Sequence, residues 1–306
     1  MSPRAVREQL LTGGLICIGI LAALLPVYGR KNENNPDKVG HRNVARKTTI
    51  SPETESALGK QESEQFERSA DLVRDPTVEQ YVARVAQNVV SHSDWKRSFA
   101  VRVLRSPHVN GTSFPGGHIY ISSALVHAAQ NDDEIAAVIA HQIAHAAARH
   151  WAEEMAKAFN QQLITHLITH LMSANSGDSA VMSQLMNTYG EARGADGVVV
   201  CVGYVEHGSM GMSLAFLRNQ RQNELEADYL GLQYVYKAGY APSAYVGMLG
   251  RLDPADTASQ GQPDLSRGTP PISERIAQAE KEIAEILPNA PQPKSSPEFL
   301  LMKSRL

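Results

Sequence analysis

The stretch AVIAHQIAHAAARH, residues 137–150, contains two histidines four positions apart, His141 and His145. Residues four apart on an α-helix project from one face, so both imidazoles can direct a nitrogen toward the same metal ion. The spacing alone is weak evidence, because this chain has a second such pair, His166 and His170, for which a polar helix face is the simpler interpretation. A metal site therefore needs further ligands elsewhere in the sequence.

Acidic residues with the same spacing occur in NELEADYLGL, residues 223–232. Glu224 and Asp228 lie four apart on a second predicted helix, so one carboxylate can bind the metal while the other accepts the free N–H of a ligating histidine. Two histidines and one carboxylate leave a fourth tetrahedral position for water, as in catalytic zinc sites. Glu226 faces elsewhere on this helix and is predicted to be a solvated carboxylate.

The elements that must position these residues are mostly helical. Asn131 and Glu134 form a capping-box pattern at the start of the histidine helix. An earlier helix is predicted after Asp75 and Pro76, which suit its cap and first turn. Further helices are predicted at about 154–173, 178–192, 214–237, 242–251 and 271–287 from apolar periodicity.

Two short strands are predicted between these helices, in SFAVRVL at residues 98–104 and in FPGGHIYISSAL at residues 114–125, and we expect them to pair. The glycine-rich apolar segment 194–212 is compatible with a loop, a hairpin or a membrane-touching element. The sequence therefore predicts a mainly α domain with a small β-sheet, an α+β fold.

Composition narrows the classes of partner. The chain has 29 lysines and arginines against 32 aspartates and glutamates, so no large basic field is available for a nucleic-acid backbone. Its two cysteines, Cys17 and Cys201, cannot form a disulfide framework within the folded part. We therefore expect no nucleic-acid partner.

The N-terminus carries a pattern typical of export. Arg4 and Arg7 precede an uncharged run at residues 10–29, which is followed by a strongly polar segment. Residues 1–29 are predicted to be a signal peptide or a membrane anchor, with membrane contact through this segment if it is retained. We therefore expect an exported protein that is periplasmic or anchored to the inner membrane facing the periplasm. We further predict a polar linker at 30–65, a folded domain at 66–288 and a C-terminal tail at 289–306.

Several blocks in this order carry a family resemblance: VRDPTVEQYVARVAQNVV, FPGGHIYISSALVHAAQNDDEIAAVIAH, HAAARH, NELEADYLGLQYVYKAGY and PPISERI. The chain resembles the CAAX prenyl endopeptidase and HtpX-type zinc metallopeptidases, in particular their soluble periplasmic branch associated with beta-barrel assembly. The resemblance runs from about Leu72 to Leu287 and implies a gluzincin-like zinc metallopeptidase domain.

The resemblance also implies roles for particular residues. His141, His145 and Glu224 would bind one Zn²⁺ per chain, and Asp228 would support the site. The strand that contains Gly117, His118, Ile119, Tyr120 and Ile121 would lie beside the cleft and pair with an extended peptide. The implied partners are a polypeptide substrate or client, with envelope or outer-membrane assembly proteins among the candidates.

One position departs from the family pattern. The family has a glutamate between the histidines, which takes a proton from the attacking water, and this chain has Gln142. Loss of such a base costs about 10²- to 10⁴-fold in rate. The sequence is compatible with an impaired metalloendopeptidase rescued by another base such as His150 or His207, with a zinc-binding pseudoprotease, and with a Glu→Gln change introduced into an active enzyme. A helical domain without metal is the remaining interpretation.

Overall fold

A computed structural model describes residues 35–109, 111–157, 192–193, 199–200, 214–251, 270–287 and 290–306. The predicted signal peptide or anchor at 1–29 and the predicted helix at 178–192, apart from its last residue, lie outside the described residues. Within the described ranges, no helix combines the length and apolar character needed to cross a bilayer.

The first elements of the described residues are a short 3₁₀ helix, Pro36–Lys38, and helix α1, Pro52–Ser69. The predicted linker at 30–65 is therefore wrong over most of α1. Ser51 caps the helix by accepting a hydrogen bond from the Thr54 amide, and Pro52 occupies its first position. The buried face of α1 consists largely of small or polar residues, which is why its sequence resembles a linker: Thr54, Glu55, Leu58, Gly59 and Ser63.

Close packing explains why α1 uses small residues. At Gly59, a Cβ atom would lie only 1.7 Å from the Pro115 carbonyl oxygen, so only glycine allows the helix to approach this loop. Helix α2, Pro76–Ser91, follows with the predicted Asp75 cap, whose carboxylate accepts from the amides of Thr77 and Val78. The N-terminal helix pair therefore belongs to the folded domain.

A three-stranded sheet packs against α1, α2 and the helix that carries the two histidines. Strands β1, Ala100–Leu104, and β3, His118–Ser122, pair in parallel, while β2, Gly111–Phe114, pairs antiparallel with β3. The strand order is β1-β3-β2, so β3 is central. The predicted pairing of the two strands that correspond to β1 and β3 is confirmed. Strand β2 was not predicted, because its sequence, Gly-Thr-Ser-Phe, has no apolar alternation.

The remaining elements are mostly helical: α3 Ser123–Ala128, α4 Asp132–Ala148, a helical segment at 150–157, the short strands β4 Ala192–Arg193 and β5 Val199–Val200, α5 Leu214–Lys237, α6 Pro242–Leu249, α7 Ile272–Ile286 and α8 Pro297–Lys303. The last three helices predicted from periodicity match α5, α6 and α7. The α+β fold class, mainly helical with a small sheet, is confirmed.

Helix α4 lies at the centre of the domain and packs against α2, α5, α6 and β2. Its isoleucines at 135, 139 and 143 are fully buried, and alanines fill most of its other faces. On α5, a Cβ added at Gly231 would lie 3.2 Å from the His141 backbone nitrogen, so glycine permits the two helices to approach closely. This approach brings the histidines of α4 next to the acidic residues of α5.

The predicted C-terminal tail at 289–306 is also wrong in part, because α8 packs on the domain. Phe299 is 1% exposed and lies against Tyr81 of α2, with ring centroids 6.4 Å apart. The Ser296 amide and hydroxyl both donate to the Asp132 carboxylate at the start of α4. Only Phe299 and Met302 of this seven-residue helix are buried, and so short a helix gives little periodic signal, which explains why the sequence resembles a tail.

Removing this anchor should destabilise the protein. We expect Phe299→Ala to lower the free energy of unfolding by about 3–5 kcal/mol, because a buried aromatic side chain is lost and a cavity remains. Leu300→Ala is the matched control, because Leu300 is 61% exposed and should change the value by about 0.5 kcal/mol or less. Urea unfolding measures both variants, and equal small effects would show that α8 does not pack as described.

Candidate metal centre

Helices α4 and α5 bring the three predicted ligands together. His141 and His145 lie on α4 and Glu224 on α5, and one ligand atom from each lies within 4.8 Å of the others. The His141 Nε2 atom is 3.5 Å from Glu224 Oε2, and His145 Nε2 is 3.4 Å from Glu224 Oε1. The two Nε2 atoms are 3.1 Å apart and face the same point as the carboxylate. This is a donor set that suits one divalent metal ion.

Asp228 lies behind His141, one helical turn after Glu224. Its Oδ1 atom is 3.0 Å from His141 Nδ1 and also accepts a hydrogen bond of 2.7 Å from the Tyr245 hydroxyl. Arg275 of α7 donates two hydrogen bonds of 2.7 Å to the same carboxylate. His141 Nδ1 is also hydrogen-bonded to the Tyr245 hydroxyl over 2.9 Å. Because the hydroxyl oxygen and the carboxylate can both accept the Nδ1 proton, the Nε2 lone pair of His141 points toward Glu224, where a metal would bind.

The ionisation of the cluster suits a cation. Burial lowers the pKa of His145 to about 4, so this ring is neutral at neutral pH and its lone pair is available. Burial alone would raise the pKa of Glu224, but the two neighbouring histidines hold it well below its usual range. Asp228 behaves likewise, because Arg275 outweighs burial and lowers the pKa of its carboxyl. The Glu224 carboxylate and the neutral His145 imidazole therefore meet at the ligand point, while the Asp228 carboxylate lies behind His141.

The other side of His145 contacts His150 rather than solvent. The Nδ1 atoms of these rings are 3.1 Å apart, and His150 Nε2 is 3.1 Å from Glu226 Oε2. Glu226 is thus not the solvated carboxylate that its helix position predicted, because its side chain is 14% exposed and also forms an ion pair with Arg46. His150 faces away from the cleft, so it does not stand where a replacement base would act.

Gln142 lies in the cleft next to the cluster. Its amide nitrogen is 3.4 Å from the Gly111 carbonyl oxygen of β2, and the residue is 9% exposed. The cleft has a volume of about 360 Å³, and Glu224 is the only carboxylate among the described residues that line it. His207, the other candidate base, lies outside the described residues, as do His166, His170 and almost all of segment 194–212.

The strand predicted to pair with substrate is central in the sheet, and that prediction is wrong. Residues 118–121 of β3 pair with β1 on one side and with β2 on the other. The carbonyl of Gly117, just before the strand, also accepts a hydrogen bond from the Ala100 amide. Gly117, His118, Ile119, Tyr120 and Ile121 therefore have no free edge for a peptide.

Among the described strands, the one with an unpaired edge beside the cleft is β2, which sequence reasoning missed. The Gly111 carbonyl points away from β3 toward Gln142, and alternate residues of a strand direct their backbone groups to the same side. The N–H and C=O of Ser113 therefore also point away from the sheet. Gly111, Thr112 and Ser113 all line the cleft.

Two further residues of the site gave no sequence signal of their own. Tyr245 lies on α6 and Arg275 on α7, and neither has a characteristic spacing from the histidines. Arg275 does fall within the PPISERI block, which carried part of the resemblance but no ligand pattern. Only the packing of α5, α6 and α7 brings these side chains to Asp228.

Comparisons with known proteins agree with this geometry. The chain is 26% identical over 298 residues to the beta-barrel assembly-enhancing protease of Escherichia coli (strain K12), covering 96% of this chain and 56% of that protein. The corresponding protein of Yersinia pestis is 25% identical over 84% of this chain and 49% of its own length. The mitochondrial metalloendopeptidase OMA1 of Schizosaccharomyces pombe is 25% identical over 69% of this chain and 53% of its own length.

The chain thus spans about half the length of the curated relatives it matches. The sequence model of Peptidase family M48 matches residues 73–283, from the residue that precedes α2 by three positions to the last turn of α7. This match includes both histidines, both carboxylates and Arg275. With a metallopeptidase donor set at its centre, the chain belongs to Peptidase family M48.

Proposed function

We propose that this chain is a zinc-dependent metalloendopeptidase scaffold of the cell envelope that binds exposed or misfolded polypeptides, and that Gln142 strongly weakens cleavage. The observation that carries the proposal is the cluster of His141, His145 and Glu224 on the floor of a cleft that is bordered by a free strand edge.

One Zn²⁺ fits the donor set. Two imidazole nitrogens and a carboxylate oxygen suit zinc, and three protein ligands leave a position open as in catalytic sites. Zinc bound here would supply Lewis acidity for a peptide carbonyl and for water. His141 and His145 would hold the ion through their Nε2 atoms, while Tyr245 and Asp228 keep the His141 ring oriented through their contacts with its Nδ1 atom.

The cleft favours an extended peptide with a large apolar side chain. A peptide can continue the sheet by pairing with the free backbone groups of Ser113 on β2. Apolar side chains line much of the cleft, among them Leu125, Val138, Met248 and Leu249. Folded proteins bury such side chains, whereas misfolded ones expose them, and this supports unfolded polypeptide as the substrate or client class.

Ser113→Pro tests the pairing edge. Proline removes the outward N–H, so we expect affinity for an unfolded polypeptide to fall by about 5- to 10-fold, the equivalent of one hydrogen bond. Ser113→Ala keeps the N–H and is the control, with an expected change of about twofold or less. Fluorescence anisotropy with labelled reduced casein gives both affinities, and equal affinities for both variants would argue against strand pairing at β2.

A second candidate function is a zinc-binding pseudoprotease that holds a polypeptide or partner without cutting it. Two features of the cleft favour it: Gln142 stands at the general-base position, and the described lining contains no carboxylate besides Glu224, which is itself a proposed ligand. A glutamine amide cannot accept a proton from water at neutral pH. Both functions share the zinc site and the cleft and differ only in turnover.

The cell envelope is proposed on two grounds. The N-terminal pattern at residues 1–29 is typical of an exported or membrane-anchored chain. The bacterial relatives are described as beta-barrel assembly-enhancing proteases, which supports outer-membrane assembly proteins as partners. Membrane contact through residues 1–29 would follow if that segment is retained.

The zinc content and casein turnover of the purified full chain test this proposal. We expect about one zinc per chain, together with binding of reduced casein and very slow cleavage that a chelator abolishes. Binding without any zinc-dependent cleavage would establish the pseudoprotease. A chain that stays free of metal under zinc-replete conditions would contradict both functions.

A further inference from the structure

His150 is a buried residue that the proposed chemistry does not use. It is 2% exposed and lies five residues after His145, with its ring edge-on to that histidine at a centroid distance of 5.0 Å. The two Nδ1 atoms are 3.1 Å apart. His150 is not part of the ligand cluster, so no metal ion would bridge these two nitrogens and two lone pairs would repel. One of the nitrogens must therefore carry the hydrogen and donate it to the other.

The surroundings decide which nitrogen is the donor. His150 Nε2 lies 3.1 Å from Glu226 Oε2, and a carboxylate only accepts, so the hydrogen of His150 is on Nε2. The His150 Nδ1 atom is then a lone pair that accepts from His145. His145 consequently carries its hydrogen on Nδ1 and directs the Nε2 lone pair toward Glu224, where a metal would bind.

Arg46 contacts Glu226 and so adds a third residue to the contacts of His145 with His150 and of His150 with Glu226. Its guanidinium forms an ion pair with Glu226, and its Nε atom lies 3.8 Å from Glu153. The Arg46 backbone N–H donates to the Ala148 carbonyl over 2.9 Å, which fixes the segment against the end of α4. Residues before α1 therefore hold Glu226 in the orientation that His150 requires.

The backbone between the two histidines adopts a conformation that supports this contact. Arg149 has a φ of 60°, in the left-handed region that residues other than glycine rarely occupy. Its side chain is held by Glu55 at 2.9 Å and by the Ile50 carbonyl at 2.6 Å. This kink ends α4 and starts the helical segment 150–157 so that His150 turns back beneath His145.

We propose that His150, Glu226 and Arg46 form a positioning chain that fixes the His145 ring with its Nε2 lone pair toward the metal. The inference rests on the zinc site proposed above and extends it to residues outside the ligand set. His150 is a positioning residue and not a ligand or a base. Its effect is exerted on the orientation and tautomer of His145.

The zinc affinity of the full-length protein, measured by competition with a chromophoric chelator, tests the positioning chain. His150→Leu removes the acceptor and should weaken zinc binding by about 10- to 100-fold, as for other groups that orient a metal-bound histidine. His150→Asn places an amide oxygen near the former Nδ1 position and should restore about half or more of that loss on a logarithmic scale.

Glu153→Gln is the matched control, because it removes a carboxylate near Arg46 without touching His150, and it should leave affinity within about twofold. Should His150→Leu fail to fold, the isosteric Glu226→Gln carries the test with an expected loss of about 10-fold. Parent-like zinc affinity in His150→Leu or in Glu226→Gln would overturn the proposal, as would an equal loss in Glu153→Gln.

A second readout does not depend on zinc. In the metal-free full chain labelled with ¹⁵N-histidine, long-range proton–nitrogen spectra should show His150 with hydrogen on Nε2 only and His145 with hydrogen on Nδ1. A hydrogen on His150 Nδ1 would overturn the positioning chain whether or not zinc binds. If the parent protein bound no zinc but showed the expected tautomers, the proposed function would be refuted and the positioning chain would still be supported.

Discussion

Gln142→Glu is expected to raise zinc-dependent hydrolysis of reduced casein by about 10²- to 10⁴-fold. The side chain at this position projects into the cleft one residue after His141, beside the edge of β2. A carboxylate there can accept a proton from water and pass it to the leaving amine, which the amide of Gln142 cannot do. The variant gives up only the long 3.4 Å contact with the Gly111 carbonyl.

The rate of the parent distinguishes the two candidate functions. Slow cleavage that Gln142→Glu accelerates fits the endopeptidase, and cleavage by the variant alone fits the pseudoprotease. An increase of two orders of magnitude or more shows that the remaining machinery is intact and that residue 142 alone holds turnover back. Gln142→Ala is the control, because it removes the amide and its 3.4 Å contact with the Gly111 carbonyl without adding a carboxylate, and it should not raise the rate. Equal rates for the parent and Gln142→Glu would mean that a different group already serves as base.

The ligand set could be predicted because it depends on local geometry. Helical spacing fixes the relation of His141 to His145 and of Glu224 to Asp228, so each pair can be recognised without tertiary structure. Which carboxylate faces the metal depends on how α4 and α5 pack. That packing depends on Gly231, whose missing side chain leaves no periodic signal in the sequence.

Other parts of the site could not be predicted for a related reason. Helix α1 and strand β2 present small or polar residues at their contacts, so they lack the apolar periodicity that identifies elements. The assignment of the substrate strand rests on the family resemblance, which did not include β2. Because β2 pairs with β3 on its second side, β3 lies in the middle of the sheet and has no free edge.

Glu226 illustrates the limit of helical spacing. Its offset of two from Glu224 correctly directs it away from the ligand point, yet the surface it faces is covered by Arg46 and His150. Arg46 comes from a segment that composition assigned to a linker, and His150 reaches this point only through the left-handed Arg149. Long-range contacts of this kind are determined by tertiary packing and not by local pattern.

His141→Ala is expected to reduce zinc affinity by about 10³-fold or more, since one of three protein ligands is lost from a site whose binding free energy is on the order of 10 kcal/mol. The variant should also lose stabilisation by the metal. At free zinc about 1,000-fold above the dissociation constant, the parent protein should gain about 4 kcal/mol in unfolding free energy. The variant should gain almost none at the same zinc concentration.

His127→Ala is the matched control, because His127 is an exposed histidine on α3, outside the cluster. It should bind zinc and respond to it in thermal unfolding as the parent does. The metal-free forms must be compared as well, since His141 contacts Asp228 and its loss perturbs a buried network. Only a difference between zinc-loaded and metal-free melting temperatures reports on the ligand role, and an equal zinc response in the parent and His141→Ala would place the metal elsewhere.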